Sequence, residues 1–165
     1  MEISRLPYSS ISHLREEFLR ENNIQFVLDK CYRYRWADAY AFIDGETPVG
    51  YGSVYGTEKR EDRDTIFEFY LMSKHRDLAE QCFLALCRSS KAPYIECQTN
   101  DKFLYPLFEK FTTNIQTEAI LFAEHHTTNF RIDNASLVVR PQSNPDDCQF
   151  VLMHNGKEVG GGGFM

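Results

Sequence analysis

The chain lacks paired cysteines, a long apolar run and an excess of positive charge, and each absence removes a class of protein. Its five cysteines (Cys31, Cys82, Cys87, Cys97 and Cys148) are odd in number and show no CxxC spacing, which argues against a disulfide framework or a thiolate metal site. Cys82 and Cys87 fall in an apolar stretch, where a free thiol acts as a small hydrophobe. His125 and His126 are neighbours that diverge in any regular element, so no structural metal is expected. No apolar stretch approaches the roughly 20 residues of a membrane helix. The opening MEISRLPYSSISHLREE meets charges before any apolar core, unlike a secretory signal. Eighteen basic against 24 acidic residues give a net charge of −6, the wrong sign for binding nucleic acid by phosphate neutralisation. The basic-aromatic run at residues 31–36 either ends a helix with cations or walls a cleft. What is present is 42% hydrophobic and 14% aromatic content in 165 residues, enough for one core in a cytoplasmic globular protein.

Periodicity orders the elements. Ile11, Leu14, Phe18 and Leu19 form an apolar stripe against an Arg/Glu face, with Ser9 or Ser10 as the expected N-cap. A second short helix carries Ile24, Phe26, Val27 and Cys31. The runs Ala39 to Ile43 and Val49 to Tyr55 flank the turn cluster Asp44-Gly45-Glu46-Thr47-Pro48, a hairpin signal. Thr65 to Leu71 is a strong strand, followed by a helix that turns Leu78, Cys82, Leu84, Ala85 and Leu86 inward. A strand at Pro93 to Cys97, a helix at Asp101 to Phe111 and a strand at Thr117 to Ala123 follow. Pro106 is tolerated only in the first turn of its helix. Two strand–helix–strand crossovers after a hairpin imply an α/β (α+β) fold, with a mixed sheet and helices on both faces.

The hairpin AYAFIDGETPVGYGSVYG, the strand and turn FYLMSKHRDLAEQCFLAL and the segment IECQTNDKFLYPLFEKF together resemble the GNAT superfamily of acyl-CoA N-acyltransferases over residues 1–125. The resemblance implies a mostly antiparallel mixed sheet and acetyl transfer from acetyl-CoA to a small-molecule or peptide amine. It puts Glu68 in the place of a general base. Arg76 falls where the acyl-CoA motif begins, and Ala79 and Gln81 stand where the family has glycines. Tyr70, Leu71, Met72, Arg76, Ala79, Gln81 and Asn100 are the residues it implies for the cofactor. The family's acidic tyrosine aligns with Phe108, which has no proton to give, so Tyr105 is the substitute. Asp77 in the same loop repels an anion. An alternative follows from these departures: a non-catalytic domain that packs against a competent GNAT domain or dimer mate and shapes its substrate pocket.

After a polar linker at residues 126–135, residues 136–165 hold a second hairpin, QFVLMHNGKEVGGGGFM. Its Gly160 and Gly162 fall under Gly50 and Gly52, and Asn155-Gly156 under Asp44-Gly45, with one residue missing from the turn. The chain thus reads as one GNAT-like unit and the opening of another, resembling a bacterial two-domain acetyltransferase group whose second domain usually carries the intact acyl-CoA loop. Gly160 to Gly163 has no helix after it and reads as a close-packed strand edge rather than a phosphate loop. A hairpin alone is marginal in water, so it is expected to extend the first sheet or pair with another chain.

Overall fold

The computed structural model describes residues 1–24, 27–56, 62–117, 133–140 and 148–164, which fall into two units, Met1–Ala123 and Glu124–Met165. In the first, strand β1 (Glu2–Leu6) precedes helices α1 (Tyr8–Glu21) and α2 (Asp29–Arg33). The hairpin β2 (Ala37–Asp44) and β3 (Thr47–Tyr55) follows, then β4 (Thr65–Leu71), a 3-10 helix (Ser73–Leu78), α3 (Ala79–Ser90), the two-residue β5 (Tyr94–Ile95) and α4 (Tyr105–Phe111). The sheet runs β1-β2-β3-β4-β5. Every pairing is antiparallel except β4 with β5. The expected strand at Thr117 to Ala123 lies, from residue 118, outside the described residues.

Local chemistry explains most boundaries. Helix α1 begins earlier than the serines suggest, with Pro7 at the N-cap and no side-chain cap; the proline's fixed φ suits a helix entry and it has no N–H to satisfy. Pro106 sits in the first turn of α4, where its missing N–H costs nothing. The sheet carries helices on both faces. Ile11, Leu14 and Phe18 of α1 pack on Ala39, Ala41, Tyr51 and Tyr70. On the other face Cys82, Phe83 and Leu86 of α3, with Leu104 and Leu107 at α4, cover Phe42, Val54, Ile66, Phe69 and Leu71.

One irregularity in β4 decides what faces where. Its register against β3 shifts between Ser53/Glu68 and Val54/Ile66, leaving Phe67 as an extra residue. In an unbroken strand Ile66, Glu68 and Tyr70 would share a face. The bulge sends Ile66 to the α3 side and leaves Glu68 and Tyr70 under α1.

The second unit holds β6 (Ala135–Arg140), β7 (Cys148–His154) and β8 (Lys157–Phe164). They form their own three-stranded antiparallel sheet, in the order β6-β7-β8, instead of a lone hairpin. Their registers correct the alignment made from sequence. Phe42 opposes Gly50 and Ile43 opposes Pro48 around a bulge; Leu152 opposes Gly160 and Met153 opposes Glu158 around another. These pairs correspond residue by residue with no gap, so Gly45 matches Asn155, not Gly156. Each turn then solves a two-residue loop in its own way. Gly45 takes φ +64° at the first loop position, while Asn155 and Gly156 take +49° and +73°, the double positive φ of a type I′ turn.

Candidate functional site

Three groups of side chains meet around β4. The first is a buried ionic hub on the α1 face. The Glu68 carboxylate is 3% exposed and faces Arg15 of α1, 4% exposed. Arg15 Nε donates to Oε1 and Oε2 at 3.1 and 3.0 Å, and Nη2 donates to Oε1 at 2.9 Å. Oε2 also accepts from the hydroxyls of Tyr32 at 2.7 Å and Tyr51 at 2.9 Å. The Ser53 hydroxyl, 2.8 Å from the Tyr32 oxygen, completes the chain. Arg15 Nη1 reaches Asp29 of α2 at 2.6 Å, and its guanidinium lies over the Tyr32 ring, 4.6 Å from the centroid.

The electrostatics follow. Burial opposes the charge on Arg15, but its hydrogen bonds and the charge of Glu68 outweigh that and raise its pKa. Burial first, and then the Glu68 charge, push the Tyr32 and Tyr51 phenols well above their ordinary range, so both stay protonated donors. Glu68, which the resemblance puts in the place of a general base, thus receives hydrogen bonds at both carboxylate oxygens and ties α1, α2 and the sheet together.

The second group sits where α1 ends. Glu21 accepts from the Tyr70 hydroxyl at 2.6 Å and is ion-paired with Arg76; the hydrogen bond from Tyr70, followed by burial acting against it and the contacts of Arg76, leaves its pKa below the ordinary value. Tyr70 is itself pushed up to about 12, by burial and then by Glu21. Next to it, Asn22 donates to Asp101 Oδ1 at 3.1 Å and accepts from the Lys102 backbone N–H at 3.0 Å. Asp101 Oδ1 also accepts from the N–H groups of Phe103 and Leu104, at 2.8 and 3.0 Å, and so organises the approach to α4. We expect Asp101→Ala to cost about 1–2 kcal/mol, the range of a lost helix cap. The readout is the urea midpoint followed by Trp36 fluorescence, and an unchanged midpoint would show that the remaining hydrogen bond from the Lys102 N–H to Asn22 holds this loop by itself.

The third feature is an open cleft of about 890 Å³ on the α3 face. It lies between the end of β4, the 3-10 helix, the start of α3 and α4, and its lining includes Phe69, Leu71, Ala79, Gln81, Phe103 and Leu107. Four cations, Arg76, Arg88, Lys102 and Lys110, line it against two carboxylates, Asp77 and Glu80, and Glu80 is ion-paired with Lys110. In a chain of net charge −6, this is a local excess of positive charge suited to an anion. The adjoining strand edge is open as well. The Met72 N–H donates to the Val49 carbonyl at 2.9 Å, and by strand alternation the peptide groups of Phe69 and Leu71 turn away from β3. Strand β5 pairs with β4 only at Thr65 and Ile66, so no described strand covers that edge farther on.

The residues singled out from sequence land in different places. Leu71, Arg76, Ala79 and Gln81 line the cleft. Tyr70 is 2% exposed and faces α1, and Met72 packs against both cores. Asn100 does not line the cleft and donates instead to the Asn23 carbonyl. Tyr105 stacks on Phe108, with ring centroids 6.0 Å apart, and its hydrogen bond to Glu109 raises its pKa. The structure brings together neither Tyr105 and Glu68 nor Tyr105 and the cleft lining. Sequence reasoning missed Arg15, although its spacing was informative. It lies four residues after Ile11 and three before Phe18, on the apolar stripe rather than opposite it.

The site thus consists of a parallel β4/β5 pair confined to Thr65 and Ile66, a cleft at the end of β4 and helices on both sheet faces. Residues 8–125 match the family described as an acetyltransferase (GNAT) domain, and the chain belongs to that family. Solved structures agree on the fold. A GNAT-family acetyltransferase from Colwellia psychrerythraea is 12% identical with a TM-score of 0.55, over 69% of this chain and 43% of that one. A predicted acetyltransferase from Clostridium acetobutylicum, solved with acetyl-CoA, is 12% identical with a TM-score of 0.52, over 76% of this chain and 99% of its own. An aminoglycoside acetyltransferase from an uncultured soil metagenomic sample, solved with trehalose, is 12% identical with a TM-score of 0.51, over 76% and 96%. Comparison with curated protein sequences gave no match.

Proposed function

We propose that the first unit is an N-acetyltransferase domain that takes acetyl-CoA in the β4–α3–α4 cleft and passes the acetyl group to a small-molecule or peptide amine. The observation that carries this reading is the cleft itself, because its lining suits the two ends of such a ligand. Phe69, Leu71, Phe103 and Leu107 offer apolar surface, and the turned-out peptide group of Phe69 and the N–H of Leu71 can pair with an amide-bearing arm as a strand would. Arg76, Arg88 and Lys102 supply the charge that phosphates require. When bound, acetyl-CoA supplies a thioester carbonyl open to attack by an amine, and a thiolate as leaving group.

The chain's own contribution is positioning. Glu68, holding Arg15 and two phenols, has no oxygen free to take a proton from an ammonium, so the amine must arrive neutral or lose its proton to water. Its role on this reading is to fix α1 and α2 against β4. Tyr105, the donor that the sequence offers for the thiolate, stands outside the cleft lining, so on this reading the thiolate takes its proton from water. Two features favour the second reading, a non-catalytic domain that shapes a partner's pocket: the base position is fully engaged and Phe108 stands in place of the family's tyrosine.

The test is a thermal-shift titration with acetyl-CoA, followed by a free-thiol assay with a panel of amines. Saturation at 100 times the dissociation constant adds about 2.7 kcal/mol of stability. Arg76→Glu is expected to abolish the shift. Binding with thiol release supports catalysis, and binding without release supports the second reading. No shift at millimolar acetyl-CoA overturns the assignment of the cleft.

A further inference from the structure

Arg76 lines the cleft, yet its guanidinium is already engaged. Its Nε donates to the Leu71 carbonyl at 3.2 Å, its face lies over the Phe103 ring with Cζ 4.9 Å from the centroid, and Nη2 is ion-paired with Glu21. Glu21 is anchored in turn by the Tyr70 hydroxyl. The two charged side chains are 39% and 34% exposed, so solvent and a ligand reach both. An anion entering the cleft therefore meets a guanidinium with a carboxylate already on it. It must either displace that carboxylate or bind beside a like charge.

We propose that Glu21 is a built-in competitor for Arg76, and that it sets the affinity of the cleft for a phosphate-bearing ligand. The inference rests on the reading of the cleft as the acetyl-CoA site and adds what limits that site. The anchoring geometry supports it. Tyr70 anchors the carboxylate beside Arg76, so Glu21 remains a neighbour of any anion that reaches the guanidinium. Leu71 and Phe103 hold the stem and face of Arg76 independently of Glu21, so the guanidinium stays in place when the carboxylate charge is removed.

Glu21→Gln tests this with little change of shape, since the amide oxygen still accepts from Tyr70. Calorimetric titration should show acetyl-CoA binding tightened about fivefold, the scale of one exposed ion pair. Inorganic pyrophosphate should gain similarly, while S-acetylpantetheine, which carries no phosphate, should not change. In an Arg76→Gln background the Glu21→Gln substitution should alter acetyl-CoA affinity by less than about twofold, because the competition acts through Arg76. Melting temperatures without ligand show that each variant is folded. Equal or weaker acetyl-CoA binding by Glu21→Gln overturns the competitor role and leaves the cleft assignment standing. A gain that persists in the Arg76→Gln background also overturns it. Absence of acetyl-CoA binding in both the unaltered chain and Glu21→Gln overturns the cleft assignment and this inference with it.

Discussion

Glu68→Ala is expected to lower the stability of the first unit by about 3–5 kcal/mol, the cost of leaving a buried charge without its partner. Arg15 would keep only Asp29, on the solvent side of the hub, and the hydroxyls of Tyr32 and Tyr51 would lose their acceptor. The urea midpoint read through Trp36, the only tryptophan, measures the loss within the first unit. The joint replacement Arg15→Met with Glu68→Leu should recover most of it, because removing both charges also removes the desolvation penalty. A strongly non-additive cycle of this kind marks a structural ion pair. If Glu68→Ala instead left the midpoint unchanged while abolishing acetyl transfer, Glu68 would be a proton acceptor for the amine and the positioning role would be wrong.

Gly50→Val should be nearly as damaging, and the comparison with Gly160→Val isolates the reason. A Cβ at Gly50 would lie 2.4 Å from the Tyr70 carbonyl oxygen and 2.5 Å from a Leu71 methyl. The backbone oxygen belongs to the β3–β4 ladder and cannot swing aside as a side-chain end would. The cost should be about 3 kcal/mol, the upper part of the usual range for overpacking. Gly160 occupies the matching position in β8, where a Cβ meets nothing within 4 Å. Gly160→Val should therefore change stability by less than about 0.5 kcal/mol. Two glycines alike in register thus differ in what surrounds them. Equal losses at the two positions would show that backbone freedom, and not the neighbouring strand, is what Gly50 provides.

Much of the fold was readable in the sequence, because local patterns carry it. The apolar spacing of α1 and α3, the turn residues between β2 and β3, and the aromatic and β-branched run Thr65 to Leu71 each name an element without outside help. Strand β1 was not seen, since Glu2–Leu6 has no strong alternation and becomes a strand by pairing with β2. The alignment of the two hairpins slipped by one residue in the turn, because matching Asp-Gly to Asn-Gly looks better than the register that the bulges impose. The site was less legible still. Glu68 could be picked out as a carboxylate in a strand, but its partner lies 53 residues earlier, and the Phe67 bulge that turns the two toward each other leaves no mark in composition. Glu21 escaped notice because a glutamate at the end of a helix is ordinary until Tyr70 and Arg76 converge on it.

The separation of Arg15 from Glu68 also sets a clock during synthesis. A ribosome adding about 5–20 residues per second makes Arg15 roughly 3–10 s before its countercharge, which lies 53 residues on. For that interval α1 carries a cation in its apolar stripe, and burying it on the β2–β3 hairpin would leave it facing only the exposed Asp29. Docking of the helix is therefore expected to await β4, so that the completed sheet receives α1 with both charges in place.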